Sequence, residues 1–218
     1  LQEPFDGGFN IKEVSRNGSP LKYTIHQTMM RIDMAQPLKS GESFTFDINW
    51  SYNVNNHVTN RARSGYEFFD KDGNKAYVIA QFFPRMAVYN DVEGWQNYQF
   101  WGNGEFALPF GDYEVNITVP ADHVMEATGE LQNRKEVYSK EMMKRYEQAK
   151  KSYDKPVIIV TQEEAEEAEK GFSNKTKTWT YKADMVRDFA FSTSRKFILD
   201  MMAVDVMGKD VMAVSVYP

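Results

Sequence analysis

A mainly β fold is what this sequence predicts, an antiparallel sheet or β-sandwich with a helical insertion at roughly residues 133–171. Three observations support it. Apolar residues alternate with polar ones through the first 120 residues, the spacing becomes helical near residue 130, and alternation resumes after Gly171. Because no repeat or low-complexity linker separates these parts, we expect one domain spanning residues 1–218.

Alternation is clearest in ESFTFDINWSY, residues 42–52, where aromatic and apolar side chains fall on one face and polar ones on the other. This pattern predicts a half-buried strand across the whole segment. PLKYTIH and TMMRIDM precede it as two shorter predicted strands, and DYEVNITVP repeats the pattern from residue 112.

The turn between GYEFF and AYVIAQFF contains Asp72-Gly73, a strong hairpin signal because glycine accepts the positive φ of tight turns. Its acidic residues also suggest a calcium loop. An EF-hand loop starting at Asp70 needs glycine at its sixth position and glutamate at its twelfth, where Lys75 and Gln81 stand. The sequence therefore favours a hairpin over a calcium site.

The insertion begins with NRKEVYSKEMMKRYEQAKKSYD, residues 133–154, whose apolar residues at near-helical spacing predict one amphipathic helix. PVIIVT then predicts a strand. A short acidic helix follows in TQEEAEEAEKG, with Thr161 and Glu164 as a capping box and Gly171 as its C-terminal stop. Further strands are predicted in KTWTYKA, VRDFAFS, RKFILDMM and VMAVSVY.

Composition argues against several classes of protein. The 31 acidic and 26 basic residues give a formal net charge of -5. Nucleic-acid affinity depends largely on Lys and Arg side chains that contact phosphates, so we expect no nucleic-acid partner. The absence of cysteine removes disulfides, thiolate zinc sites and cysteine nucleophiles. Without a run of about 18 apolar residues, no membrane-spanning helix is expected.

Catalytic motifs are missing from the sequence. His26, His57 and His123 include no pair at the i, i+4 spacing that grips zinc, and neither a G-x-S-x-G elbow nor a phosphate loop occurs. We therefore expect no catalytic residue, no metal site and no cofactor in this chain. A metal-independent hydrolase built on carboxylates from distant positions remains a rival interpretation.

The segment QFFPRMAVYNDVEGW, residues 81–95, combines four aromatic residues with charged and amide side chains. Two interpretations stay open at this point. The rings either belong to the core and a sheet edge, or they form an aromatic surface that binds sugar, peptide or a neighbouring domain.

Three long segments resemble the N-terminal portion of bacterial zinc metallopeptidases of the aminopeptidase N family: SGYEFF…AYVIAQFFPRMAVYNDVEGWQ, GEFALPFGDYEVNITVPADHVMEATGELQN and WTYKADMVRDFAFSTSRKF. The resemblance covers most of the chain in the right order. It implies a β saddle or sandwich followed by a thermolysin-like domain with an H-E-x-x-H zinc motif and a G-x-M-E-N segment. This chain has neither motif, so zinc is expected in a downstream catalytic domain.

The resemblance implies a noncatalytic N-terminal domain of a zinc metallo-aminopeptidase. The start at Leu1 and the end at DVMAVSVYP fit an isolated domain of a longer protein. Such a domain docks on its own downstream catalytic domain and forms one wall of the peptide-binding cleft. The resemblance further implies a periplasmic, cell-surface or secreted location. A freestanding β-sandwich module that binds carbohydrate or peptide is the alternative.

The resemblance also points to substrate-binding residues. Gln81 matches the first polar residue of a family segment that faces the cleft and holds the free amino group of the substrate. Phe83 stands where that segment carries an acidic residue, and Arg85 follows on the cleft rim. Gln81, Phe83 and Arg85 are therefore the expected substrate-binding residues.

Overall fold

A computed structural model describes residues 6–101 and 107–218 of the chain. It places 45% of residues in strands and 11% in helices, with several antiparallel sheets, which confirms the mainly β prediction. The saddle or sandwich arrangement and the single domain remain predictions. No helix within the described ranges is long and apolar enough to cross a membrane.

The elements follow one another along the chain in this order. Strands come first: β1 (Asn10–Arg16), β2 (Ser19–Pro20), β3 (Lys22–His26), β4 (Met29–Asp33), β5 (Asp47–Ser51), β6 (Gly65–Phe69), β7 (Asn74–Ile79), β8 (Tyr89–Asn90), β9 (Gly94–Trp95), β10 (Gly111–Pro120), β11 (Val124–Ala127) and β12 (Glu130–Leu131). Then follow α1 (Arg134–Val137), α2 (Lys140–Ala149), β13 (Val157–Val160), α3 (Gln162–Glu169), β14 (Thr176–Val186), β15 (Phe191–Ser194), β16 (Ile198–Val206) and β17 (Lys209–Tyr217).

The chain divides into two compact units, one within Leu1–Val54 and Phe83–Pro109 and the other within Asn55–Phe82 and Phe110–Pro218. The first unit contains the sheet β2-β1-β5 and the hairpins β3-β4 and β8-β9. The hairpin β3-β4 confirms the two short strands predicted from PLKYTIH and TMMRIDM.

Strand β5 is shorter than the sequence predicts, because its ladder begins at Asp47 rather than at Glu42. The physical reason lies in its partner. β1 reaches its turn after Arg16, and Ser15 opposite Asp47 is the last pair of the ladder, so no strand is left to pair with residues 43–46. The burial alternation continues nevertheless, since Phe44 and Phe46 are half-buried with ring centroids 5.8 Å apart.

The second unit contains three sheets, with strand orders β10-β14-β12, β11-β15-β7-β6 and β13-β16-β17. β10 and β14 pair from Gly111 opposite Val186 to Pro120 opposite Thr176, which confirms the strand predicted from DYEVNITVP. Alternation on β14 turns large side chains into the core of this unit. The largest fully buried side chains include Trp179, Tyr181, Phe189 and Met125.

The hairpin predicted at Asp72-Gly73 is confirmed, since β6 and β7 pair antiparallel and Gly73 has φ 71°. Asp72 does not face an ion site. Its carboxylate accepts a hydrogen bond from the backbone N–H of Asn74 at 2.9 Å and forms an ion pair with Lys196 Nζ. The Asp72 carboxylate therefore serves the fold of the hairpin.

The single helix predicted over residues 133–154 is wrong, because the structure has two helices, α1 and α2, with a break at Tyr138 and Ser139. Tyr138 is buried in an extended conformation, and its hydroxyl lies 3.2 Å from Glu126 Oε1. Ser139 then caps the next helix, accepting a hydrogen bond from the N–H of Met142 at 3.1 Å. A capping serine therefore starts a new helix where hydrophobic spacing alone suggests continuation.

The acidic helix is confirmed as α3, with the predicted capping box between Thr161 and Glu164. It ends at Glu169, but Gly171 does not take the left-handed conformation expected of a C-terminal glycine stop. The strand predicted in VRDFAFS begins only at Phe191.

Gly129, between β11 and β12, offers a test of this packing. It has φ 92°, and a Cβ there would lie 2.2 Å from the carbonyl oxygen of Lys182 and 2.7 Å from Ala183 Cβ. We expect Gly129→Ala to lower the free energy of unfolding by about 2–4 kcal/mol, measured by urea denaturation. Gly171→Ala is the control, since its Cβ meets no atom within 4 Å. Equal losses in both variants would contradict the packing.

Candidate functional site

Gln81 lies on an exposed bend after β7 in the second unit, and its backbone is left-handed, with φ 54°. Asn17, Gln27 and Met207 also have positive φ, but each occupies a two-residue hairpin turn. Gln81, like Arg61 and Met185, has a positive φ outside such a turn. Holding a non-glycine residue in this region costs on the order of 1 kcal/mol, and such strain concentrates at functional sites.

Phe82 fixes the position of Gln81 in the second unit. Its ring meets Phe191 edge-on with centroids 5.3 Å apart, and Phe189 at 6.5 Å. Phe189 is fully buried, so the residue next to Gln81 is attached to the core. The exposed amide of Gln81 is therefore held on a rigid support.

Phe83 and Arg85 belong to the first unit and lie together. The guanidinium of Arg85 stacks over the Phe83 ring at 5.2 Å from its centroid, and both side chains are half-buried. Of the three predicted substrate-binding residues, the structure thus brings together Phe83 and Arg85. Gln81 is described in the other unit.

An aromatic surface continues along the first unit beyond the segment that sequence reasoning singled out. Tyr89 and Trp95 pair edge-on across the β8-β9 hairpin with centroids 5.2 Å apart, and both are exposed. The Oδ1 atom of Asn90 fixes the turn by accepting from the N–H groups of Val92 and Glu93 at 3.1 and 2.8 Å. The exposed rings of this stretch of chain, here together called the aromatic surface, are Tyr89, Trp95, Tyr98, Phe100 and Trp101.

An open sheet face is a feature that sequence reasoning missed. On the sheet β13-β16-β17, Leu199, Met201 and Ala203 are buried on the face that contacts α2. The opposite face, here called the open sheet face, carries apolar side chains as well, and Ile158, Val211 and Tyr217 on it are 50%, 46% and 42% exposed. The other apolar members of this face are Ile198, Met202, Val204, Val206 and Ala213, and its polar members are Asp200, Lys209 and Ser215.

The signal for the open sheet face was present in the sequence. A strand with one solvated face alternates apolar and polar residues, whereas RKFILDMM and VMAVSVY are apolar at most positions of both faces. Such runs indicate a strand that is covered on both sides. Among the described residues, α2 covers one side of β13 and β16, while Val214 of β17 stays 41% exposed on that same side.

Two buried cations of the second unit, Arg195 and Lys196, are paired within the fold. Arg195 Nε lies 3.3 Å from Asp122, and Lys196 Nζ lies 2.9 Å from Glu169 and also contacts Asp72. The ion pair with Lys196 holds the pKa of Asp72 below its usual range. Within residues 6–101 and 107–218, no group of three His, Cys, Asp or Glu side chains is placed to hold a metal ion.

Glu126 of β11 is the titratable group with the most distinctive surroundings. Its Oε1 atom lies 3.2 Å from the hydroxyl of Tyr138, and its Oε2 atom lies 3.4 Å from that of Tyr181. Desolvation raises the pKa of Glu126 to about 7. The hydroxyl groups of Tyr138 and Tyr181 and the charge of Arg134 favour the carboxylate and so act in the opposite direction, but desolvation is the larger effect. Sequence reasoning missed this cluster, because its members come from β11, β14 and the break between two helices.

Comparisons with family models, with curated proteins and with solved structures find no match to this chain. The resemblance carried by the quoted segments therefore remains a prediction.

The position of Glu126 predicts a pH-dependent stability. The carboxyl titrates near pH 4.5 in the unfolded chain and near 7 in the folded one, so between these values only the folded state holds the proton. The free energy of unfolding therefore falls as the pH rises through this window. Glu126→Gln cannot titrate and should lose this fall, which amounts to about 3 kcal/mol.

Urea denaturation of wild type and Glu126→Gln at about pH 5 and about pH 8 measures the difference in slope. Glu130→Gln, at an exposed position, is the matched control and should keep the wild-type slope. Burial, with a contribution from Arg195, lowers the pKa of His123 to about 4. This shift makes the free energy of unfolding rise with pH, opposite to the effect of Glu126, and it is the same in all three proteins. A wild-type slope in Glu126→Gln would contradict the assignment.

Proposed function

We propose that this chain is a noncatalytic N-terminal domain of a zinc aminopeptidase-like metallopeptidase. In this proposal it docks on the downstream catalytic domain and forms one wall of the peptide-binding cleft. The sequence resemblance supplies the family and the partner. The observation that carries the docking function is the open sheet face of the second unit.

The open sheet face has the composition of an interface. Its apolar side chains lie on three adjacent strands around the polar residues Asp200 and Ser215. An exposed apolar patch on a folded protein indicates contact with another protein surface. β17 forms one edge of the sheet, with seven of its nine residues exposed, so the face continues to a free strand edge. A catalytic domain resting on this face covers both the apolar side chains and the edge.

Gln81 is the proposed contact with substrate. Its amide can both donate and accept hydrogen bonds, which suits a peptide N-terminus and the adjoining carbonyl. The strained backbone and the attachment through Phe82 hold the amide at a fixed place. Phe83 and Arg85 are proposed as rim residues that contact the peptide or the catalytic domain.

The aromatic surface supports a second candidate function, a freestanding module that binds carbohydrate or peptide. Exposed tyrosine and tryptophan rings stack on sugars and on peptide side chains at low entropic cost. Quenching of tryptophan fluorescence by oligosaccharides or peptides, lost in Trp95→Ala, would favour this function. A gene that encodes no H-E-x-x-H motif after this segment would favour it as well.

Docking predicts that the chain binds the separately produced catalytic domain of its own gene product. The double variant Ile158→Lys, Val211→Lys places two cations on the open sheet face, and we expect it to weaken binding at least about tenfold in isothermal titration calorimetry. Ile25→Lys, at an exposed apolar position of the first unit, is the control and should bind like wild type. Wild-type affinity in the double variant contradicts docking through this face.

Substrate contact predicts a kinetic effect in the full-length gene product. Gln81→Ala should lower kcat/KM for aminoacyl substrates about tenfold, because a hydrogen bond to a charged amino group is lost, while bound zinc stays unchanged. Gln36→Ala, at an exposed position of the first unit, is the matched control. Unchanged kcat/KM in Gln81→Ala would contradict a substrate contact by Gln81. Peptidase activity of the present chain alone would overturn the noncatalytic assignment.

A further inference from the structure

A half-open cavity of about 220 Å³ lies in the second unit, lined by residues of α2, α3 and β14 and by the segment that leads into β11. This volume equals about seven water molecules. Much of its wall is apolar, formed by Val124, Val137, Met142, Val160 and Ala165. The cavity therefore suits a small molecule with an apolar body.

The charged groups of the wall are matched, with one exception. Asp122 pairs with Arg195 at 3.3 Å, and Glu164 pairs with Arg145 at 2.6 Å. Lys177 donates to the carbonyl oxygen of Val137 at 3.2 Å and has no carboxylate partner among the described residues. The ammonium of Lys177 leaves an uncompensated positive charge at the cavity.

The Trp179 side chain lies on the same strand face as Lys177. Trp179 follows Lys177 by two residues on β14, lines the cavity and is 1% exposed. Its indole Nε1–H is buried and has no acceptor within the described part of the chain. This N–H group is closed off from the open cavity, so Trp179 contributes its ring to the wall and reports on an occupant without bonding to it.

His123 adds a hydrogen-bond acceptor to the wall. Thr193 gives its single hydroxyl proton to the carbonyl oxygen of Val124 at 3.1 Å, so its oxygen must accept from His123 Nδ1, also at 3.1 Å. The Nε2 atom of the neutral ring therefore keeps its lone pair, and no described residue donates to it. Because the pKa of His123 is lowered to about 4, this acceptor persists at neutral pH.

We propose that this cavity binds a small α-amino or α-hydroxy carboxylate with an apolar side chain. The carboxylate accepts from Lys177 Nζ, the α-substituent donates to His123 Nε2, and the side chain lies against the valine and methionine wall beside the Trp179 ring. The cavity is described entirely within the second unit and does not depend on the docking function proposed above.

The test is a titration of the whole chain with leucine, followed by the indole N–H signals in ¹H–¹⁵N NMR spectra. Trp179→Phe assigns the Trp179 signal among the four tryptophans. We expect this signal to shift with a dissociation constant of about 1 mM or below. 3-Methylbutylamine, which keeps the side chain and the amine but lacks the carboxylate, should bind at least about tenfold more weakly.

Lys177→Met should weaken leucine binding at least about tenfold, whereas Lys175→Met, at an exposed position two residues earlier, should bind like wild type. A Trp179 signal that does not move with leucine overturns the proposal. Equal binding of leucine and 3-methylbutylamine overturns the role of Lys177 in wild-type protein, so the test holds even where Lys177→Met fails to fold.

Discussion

Two adjacent buried cations, Arg195 and Lys196, are the constraint on which the second unit depends. Arg195 reaches Asp122 before β11 and Asn74 Oδ1 at 3.1 Å on β7, while Lys196 reaches the β6-β7 turn and the end of α3. A buried charge without its partner is strongly destabilising, so each of these segments must arrive at one place. Arg195 and Lys196, neighbours in the turn between β15 and β16, thereby join three distant parts of the chain.

The helical insertion is integrated into the same unit through β13. This strand pairs with β16, and α2 covers the inner face of the sheet that results. One helical layer covers one face, and a three-stranded sheet has two. The open sheet face is thus a direct result of an insertion that supplies a single covering layer, and its apolar composition is the reason to expect a partner there.

Local patterns predicted the strands, the Asp72-Gly73 hairpin and the capping box at Thr161, because each of these depends on residues close in sequence. Boundaries set by partners were not predictable in this way. β5 stops where β1 turns away, and the helix breaks at Ser139 because Tyr138 is held at Glu126. Likewise Gln81, Phe83 and Arg85 were chosen by resemblance, whereas their division between two units follows from long-range contacts.

The Glu126 cluster makes folding a proton-consuming reaction at neutral pH. Near pH 7 the folded carboxyl is about half protonated, while the same group in the unfolded chain is ionised. Folding therefore takes up about half a proton per molecule at this group, and the buffer supplies it. The heat of unfolding of this chain therefore includes the ionisation enthalpy of the buffer, and it will differ between buffers of the same pH that stabilise the fold equally.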